Sequence, residues 1–540
     1  MQKYARLVRA TQTEYVDMVR PQSNFDFVDA RFSELLPLKR VLSLIRQHGE
    51  RTIVIEKLGR SKDLQEENED IRRSCTNFSQ SAALRLSFFK KSIIDEAQLA
   101  TTTDRDFIGY VIIKDDVVGG KHEFRIYEAV IRRSGHRNNF IKRAPVWSVR
   151  VGSKLYRIEG HLYAQQNGIT NSCAHVAIRT AASCYGGRDM SYREMNQILG
   201  IKPPKRSPGE GLELAEMIKL LQAAGARCFA ADYRAKLKST PPPFQKYVYG
   251  SIESGYPSII SFQTTRDVDK YHGIPIFGHT FNSDTWVPSA EQSYFEIGPG
   301  TRYIPSESWV SMYIGHDDNW GPLYCVPRHY FQTQHPIDPS NEKQDQPVAG
   351  SASPGLTQCV AHVISTVPKN VRVSPIRAEA IGIDYLLLLR PRVAKLQKNI
   401  WARRLNFYAR QNLLVVRPNL ITLEQYCSHL ERIRDWKHNR VDPRMLEVLR
   451  SLADQVLWMV ELSVPELFST NLRKVGEVLI RAQQNIGTRT LKERLSGFFL
   501  ARLPGYFALL TGIKSKKPRF SFISSGADGH VELFGCEESG

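Results

Sequence analysis

Tyr163-Ala164-Gln165-Gln166-Asn167-Gly168-Ile169-Thr170-Asn171-Ser172-Cys173-Ala174-His175-Val176-Ala177-Ile178 is the stretch on which the reading of this chain turns. A polar, glycine-containing turn carries two glutamines and delivers a cysteine onto the start of a helix. Past Cys173 the residues Ala177, Ile178, Ala181 and Ala182 recur at helical spacing. Asn171 or Ser172 is a natural N-cap, because its side chain can accept the free backbone N–H groups of the first turn. A thiol there feels the positive end of the helix dipole, which favours thiolate over thiol. A glutamine just upstream can donate its amide N–H beside the backbone N–H of the cysteine, and two such donors make an oxyanion hole for acyl chemistry. The competing interpretation is a small buried cysteine on a core helix, the commoner fate of the residue.

Working outward, 540 residues exceed one ordinary core, so two to four domains are expected. A hydrophobic content of 42% with 24% charged residues is that of a soluble globular protein. No run of eighteen apolar residues occurs, which excludes a helical membrane span, and the first residues lack the apolar core of a signal peptide. Eight cysteines form no CxxC pair. That argues against a disulfide framework or zinc ribbon and for a reducing, cytoplasmic setting. The formal charge of +19 permits attraction to nucleic acid, acidic lipid or an acidic partner. Lys395, Lys398, Arg403, Arg404 and Arg410 cluster, but no RNP motif or Cys/His finger accompanies them. A solvated basic face is the reading preferred, and nucleic-acid binding is left open.

In order along the chain, residues 4–20 and 32–48 read as helices, 52–56 as a strand, and 61–72 as a solvent-facing helix or loop. Residues 107–113 and 124–131 read as strands, and 149–152 with 155–158 as a hairpin leading into the glutamine turn. After the cysteine helix, Tyr185-Gly186-Gly187 is a helix stop. Ser191 to Glu194 is a capping box opening a second helix, and a third begins near Leu212 and ends at Gly225. Strands follow at 258–262, at 274–281 carrying His279, and at 312–319 ending in His316-Asp317-Asp318-Asn319. His175 is read as structural or cleft-lining, His316 beside Asp317 as a weak hint of a metal site for want of a distant partner, and His272 as an exposed residue of a polar loop. Further on, 359–364 and 456–462 read as strands, and 423–434 and 475–483 as helices.

The order is thus glutamine, cysteine on a helix, more helices, then histidine and acid on strands. Acyl chemistry needs those parts: a thiol to attack, an imidazole to take and return the proton, and a third group to hold the tautomer. The run from Gln165 through Cys173-Ala174 to Tyr185-Gly186, then 191–199 and 212–225, resembles the bacteriocin-processing papain-like cysteine peptidases that remove double-glycine leaders. The likeness covers roughly residues 160–327. It implies an α+β fold in which a cysteine-bearing helix packs on an antiparallel sheet bearing histidine and acid. It also implies that Cys173 is the nucleophile, His279 the base and Asp317 the orienting acid, with Asp318 as alternative. Gln166 or Gln165 serves the oxyanion hole. The glutamines stand seven and eight residues before Cys173 (173 − 166 and 173 − 165), longer than the usual interval, and Ala174 stands where the family has glycine.

The expected organisation is an N-terminal α/β accessory region at 1–150, a papain-like unit at 151–335, a Pro/Ser/Gln-rich linker at 336–358 and a C-terminal α/β accessory region at 359–540. The expected activity is a cysteine hydrolase cleaving an amide bond (peptidase, deamidase or amidase) without cofactor or metal. Transfer of transglutaminase type and a non-catalytic binding module are the alternatives. The expected partners are a protein or peptide substrate and an acidic protein held by the basic helix at 391–410, with the flanking regions selecting what reaches the thiol.

Overall fold

The computed structural model describes residues 8–18, 23–32, 35–59, 61–133, 139–186, 189–201, 211–234, 241–263, 271–282, 287–288, 291–292, 302–328, 331–332, 358–393, 398–469, 471–514 and 517–536. The expected linker at 336–358 lies, but for Gln358, outside them, as does Lys395 of the basic cluster. The chain is mixed α+β, with several antiparallel sheets and fourteen α-helices among the described residues. None of these helices is long and apolar enough to cross a membrane. Two units emerge, the first made of 1–236, 256–278 and 313–366, the second of 237–255, 279–312 and 367–540.

In the first unit, a six-stranded antiparallel sheet runs in chain order through Ala10–Asp17, Thr52–Leu58, Phe78–Phe89, Phe107–Val118 and Lys121–Ile131, and ends on Leu162–Tyr163. Alternation decides its two faces, because successive strand side chains point oppositely. Ile53, Ile55, Leu86, Phe88, Val111 and Ile113 join one core with the helix Leu36–Gln47. Val54, Phe89, Tyr110 and Ile112 join another with Trp147, Val149 and Tyr156 of the hairpin Val146–Val151 and Lys154–Glu159. The expected helix at 4–20 is instead the strand Ala10–Asp17. Its Thr11, Thr13, Tyr15 and Val16 are β-branched or aromatic, which suits a pleated surface better than a helix. The expected solvent-facing segment at 61–72 is the helix Lys62–Ser74, capped by Ser61, with Leu64, Glu67, Asp70 and Ile71 buried.

A second sheet carries Ala226–Asp232, Gln358–Pro368, Ser258–Gln263, the histidine strand Tyr271–Phe281, the acid strand Val310–Asp317 and Gly321–Pro327, in that order. The cysteine helix, Cys173–Ala182, packs on it through Ala174, Ala177, Ile178 and Ala181, in one cluster with Met195, Leu220, Leu221, Ile259 and Ile364. Truncating Ile178 in that cluster to Ala would cost about 2–5 kcal/mol. Arg179 pins the helix to the first sheet: it donates to Glu128 Oε2 at 2.7 Å, to the Tyr127 carbonyl at 3.2 Å, and to both oxygens of Asp189 at 2.9 Å. The acid and histidine strands approach closely at Gly315, where a Cβ would stand 2.3 Å from the Pro275 carbonyl oxygen, so only glycine fits.

The second unit is organised on its own antiparallel sheet of Val415–Thr422, Val456–Ser463, Gly476–Arg481, Phe498–Leu503, Tyr506–Lys514 and Lys517–Ser524, extended by Arg302–Pro305 and Glu291–Gln292. The helix expected at 475–483 is the strand Gly476–Arg481. Val478 and Ile480 are strand formers, and Glu477 turns inward to pair with Arg502 at 2.5 and 2.6 Å. Helices Pro375–Val393 and Ile400–Arg410 stand where a single basic helix at 391–410 was expected.

Candidate active site

The turn before the cysteine is built around Asn167. Its Oδ1 accepts from the backbone N–H groups of Ile169, Thr170 and Asn171 at 2.9, 2.8 and 3.3 Å, while the Asn167 backbone N–H donates to Asn171 Oδ1 at 2.8 Å. The N-cap of the cysteine helix is Ser172. The ring of His175 closes the cap, Nδ1 accepting from the Ser172 backbone N–H at 3.2 Å, so its Nε2–H donates to Asn196 Oδ1 at 3.1 Å. His175 is therefore structural, as its position two residues beyond Cys173 suggests. Cys173 itself is half-buried at the first helical position, its Sγ 3.9 Å from the Tyr271 carbonyl oxygen.

The imidazole beside Cys173 is that of His272. The histidine strand begins at Tyr271, three residues earlier than its apolar pattern implies, and this places His272 within the sheet. His272 is 7% exposed rather than solvated. It sits directly opposite Phe262 on the neighbouring strand, the rings edge to face at 5.4 Å. Its Nε2 faces two carboxylates, at 3.3 Å from Asp317 Oδ1 and 3.4 Å from Asp318 Oδ1. That leaves Nδ1 for the thiol. Burial alone would lower the basicity of the ring, but the proximity of Asp317 and of Cys173 and the negative charge of Asp318 outweigh it and push His272 up to about 11.

The two acids differ in how they are held. Asp317 closes a turn: its Oδ1 accepts from the backbone N–H groups of Asn319 at 2.9 Å and Trp320 at 3.3 Å, which fixes the carboxylate. Asp318 is anchored by its backbone, whose carbonyl accepts from the Tyr163 hydroxyl at 3.1 Å. Burial, helped by repulsion from Asp317, pushes its carboxyl up to about 6 against the pull of His272.

His279, the base expected from the sequence, stands away from Cys173 on the other face of its strand. It lies seven residues beyond His272 (279 − 272), an odd interval that turns the two side chains to opposite faces of the strand. Its ring is fully buried and its Nε2 lies 2.7 Å from Glu253 Oε1. Glu253 Oε2 in turn accepts from Arg417 at 2.6 and 3.0 Å, and Arg417 donates to Glu461 at 2.7 Å. Such a ring is a structural member of an ionic network. Gly278-His279 has a reversed counterpart earlier on the same strand, His272-Gly273. A Cβ on Gly273 would sit 3.9 Å from Ala174 Cα, so the glycine marks where helix and strand approach. That pair is the signal the sequence offers for His272.

Of the two glutamines, Gln165 is committed to the first sheet: its Oε1 accepts from the Ile126 N–H at 2.7 Å and its N–H donates to the Ile126 carbonyl at 2.9 Å. Gln166 is half-buried, and its backbone N–H lies on the Asp318 side of the site, where it favours the charged carboxylate. His316 faces away from both acids: its Nδ1 accepts from the Leu323 N–H at 3.1 Å, and burial pushes its basicity down to about 3. The other thiols are of another kind, burial pushing Cys184 and Cys228 up to about 12.

Comparison with family models, with curated proteins and with solved structures returns no match for this chain. The site is therefore argued from its own chemistry.

Proposed function

We propose that the first unit is a thiol-dependent amide hydrolase of papain-like organisation, acting on a protein or peptide. The observation that carries this reading is a thiol at a helix N-terminus beside a buried imidazole whose Nε2 faces two carboxylates. With its proton already on His272 Nδ1, Cys173 attacks the acyl carbon as the thiolate. The same proton then returns to the leaving amine, and water resolves the thioester with His272 as base. Asp317, fixed by its turn, holds the ring orientation and stabilises the imidazolium; Asp318 adds negative charge on the same side. The backbone N–H of Cys173 and the side-chain amide of Gln166 are the oxyanion donors in this reading.

The test is mass spectrometry after exposure to electrophilic peptide probes, such as acyloxymethyl ketones. Cys173 is expected to be the cysteine modified, with Cys184 and Cys228 left untouched because burial holds their thiols protonated. Labelling of those two in preference to Cys173 removes the proposal. An added amine captured into product would place the chemistry in acyl transfer, the same thioester with a different acceptor.

A further inference from the structure

We propose that His272, Asp317 and Asp318 form a site for a divalent transition-metal ion, zinc fitting best, and that the ion switches Cys173 off. The switching half rests on the reading of Cys173 as nucleophile; the binding half stands without it. The three side chains bring one imidazole nitrogen and two carboxylate oxygens within 4.8 Å of one another. Nε2 stands 3.3 and 3.4 Å from the two oxygens, beyond the usual 2.7–3.2 Å of an N–H···O bond. A tetrahedral ion about 2.1 Å from each ligand atom sets neighbouring ligand atoms about 3.4 Å apart. The spacing suits a shared cation better than a shared proton.

A second observation points the same way. Asp318 is 6% exposed and neither of its oxygens accepts a well-formed hydrogen bond; His272 Nε2, on a residue 7% exposed, is in the same state. Buried polar atoms are normally satisfied, and a cluster of three that is not marks a missing partner. Two carboxylates and a neutral imidazole carry a charge of −2, which a divalent ion neutralises. Nitrogen and carboxylate oxygen in a three-ligand set suit zinc, with a fourth position left for water. Calcium and magnesium require six or more oxygens and do not fit.

The coupling to Cys173 follows from the shared ring. An ion at Nε2 takes the place of the proton there, which leaves to solvent, and turns Asp317 and Asp318 from partners of the ring into ligands of the ion. A metal-bound ring carries one proton rather than two, so the imidazolium that faces the Cys173 thiolate is lost. Ion and imidazolium are alternatives at one ring.

The experiment uses the full chain, checked as folded by near-UV circular dichroism. Zinc chloride is titrated in competition with a chromogenic chelator, and iodoacetamide alkylation of Cys173 is followed with zinc and again after EDTA. One ion per chain is expected at a Kd of about 10 µM or tighter. Cys173→Ala keeps it. His272→Gln and Asp318→Asn each weaken it by more than the roughly 10–100-fold that loss of an outer partner causes. Zinc is expected to slow alkylation about tenfold or more, reversibly. Retained affinity in both ligand variants, or lost affinity in Cys173→Ala, overturns the site. Zinc bound through His272 and Asp318 with alkylation unchanged overturns the switch. If Cys173 resists every acylating probe while zinc binding follows His272, the hydrolase reading fails and the metal site stands.

Discussion

His272 and His279 share a strand and are both buried, yet they are held in opposite ways. His279 meets Glu253 at 2.7 Å, and Glu253 uses its other oxygen on Arg417, so every charge in that cluster has a short partner. His272 meets its two acids at 3.3 and 3.4 Å, and the Asp318 oxygens accept no well-formed hydrogen bond. A network of short ion pairs holds a fold; a longer one beside a thiol has capacity left for a proton, a substrate or an ion. Bond length, more than residue type or burial, separates the two rings.

The sharpest way to break this contrast is to remove each ring in turn. His272→Ala is expected to lower the acylation rate of Cys173 by about 10⁴-fold or more. His279→Gln should leave that rate near wild type per folded molecule and lower the urea midpoint instead. Acylation measured by mass spectrometry, with urea unfolding alongside, checks both. Loss of acylation in a well-folded His279→Gln would return the base to His279.

The next effect distinguishes the two acids. Asp317→Asn is expected to cost roughly 10²–10⁴-fold in acylation rate, because the amide offers Nε2 the wrong partner. Asp318→Asn should cost less, since Asp318 contributes charge more than orientation. The reverse ranking would make Asp318 the orienting acid and move the register by one residue.

How much of this was legible in the sequence follows from the same two histidines. The cysteine helix with its cap at Ser172, one of the two candidates, the Ser191 cap of the next helix and the stop at Gly225 could be read because they depend on local backbone chemistry. The acid pair could be read because it ends an apolar strand. The histidine could not be assigned by pattern, since a strand shows both faces in turn and only the third dimension says which face meets the thiol. His279 follows the stronger apolar run, and that run is strong because it is buried around a structural network. Residues 475–483 misled in a related way, for Glu477 reads as a solvent-facing helical residue until Arg502 is seen against it.

The tightly paired side of the comparison makes its own prediction. Glu253→Gln removes the charge that His279 and Arg417 both face and leaves a fully buried guanidinium with Glu461 as its remaining carboxylate. Breaking a buried pair from one side typically costs about 3–5 kcal/mol, read as a lower urea midpoint at unchanged m-value. A change below about 1 kcal/mol, within the range of an exposed pair, would mean that the network is looser than its distances indicate.

The last prediction concerns a tightly paired cluster next to the active-site turn, where pH gives the sign. Glu67 accepts from Lys114 at 2.8 Å and Arg125 at 2.7 Å, and its other oxygen accepts from Asn167 at 3.1 Å, the residue that shapes the turn before Cys173. Asp116 shares both cations, at 3.4 Å from Lys114 and 3.0 Å from Arg125. Burial alone would raise the Glu67 carboxyl, but Arg125 and Lys114 outweigh it and hold it at about 2, below its usual 4.5. A carboxyl depressed in the folded state stabilises fully above its unfolded value, and that contribution drains away as pH falls through the folded one. Wild-type stability should therefore decline between about pH 4.5 and about pH 2, with Glu67 contributing on the order of 3 kcal/mol of the loss. Glu67→Gln should start less stable near neutrality and show a shallower decline, so that the two urea-midpoint curves converge in acid. Parallel curves would assign the acid sensitivity to other carboxylates and leave Glu67 as a spectator beside the turn.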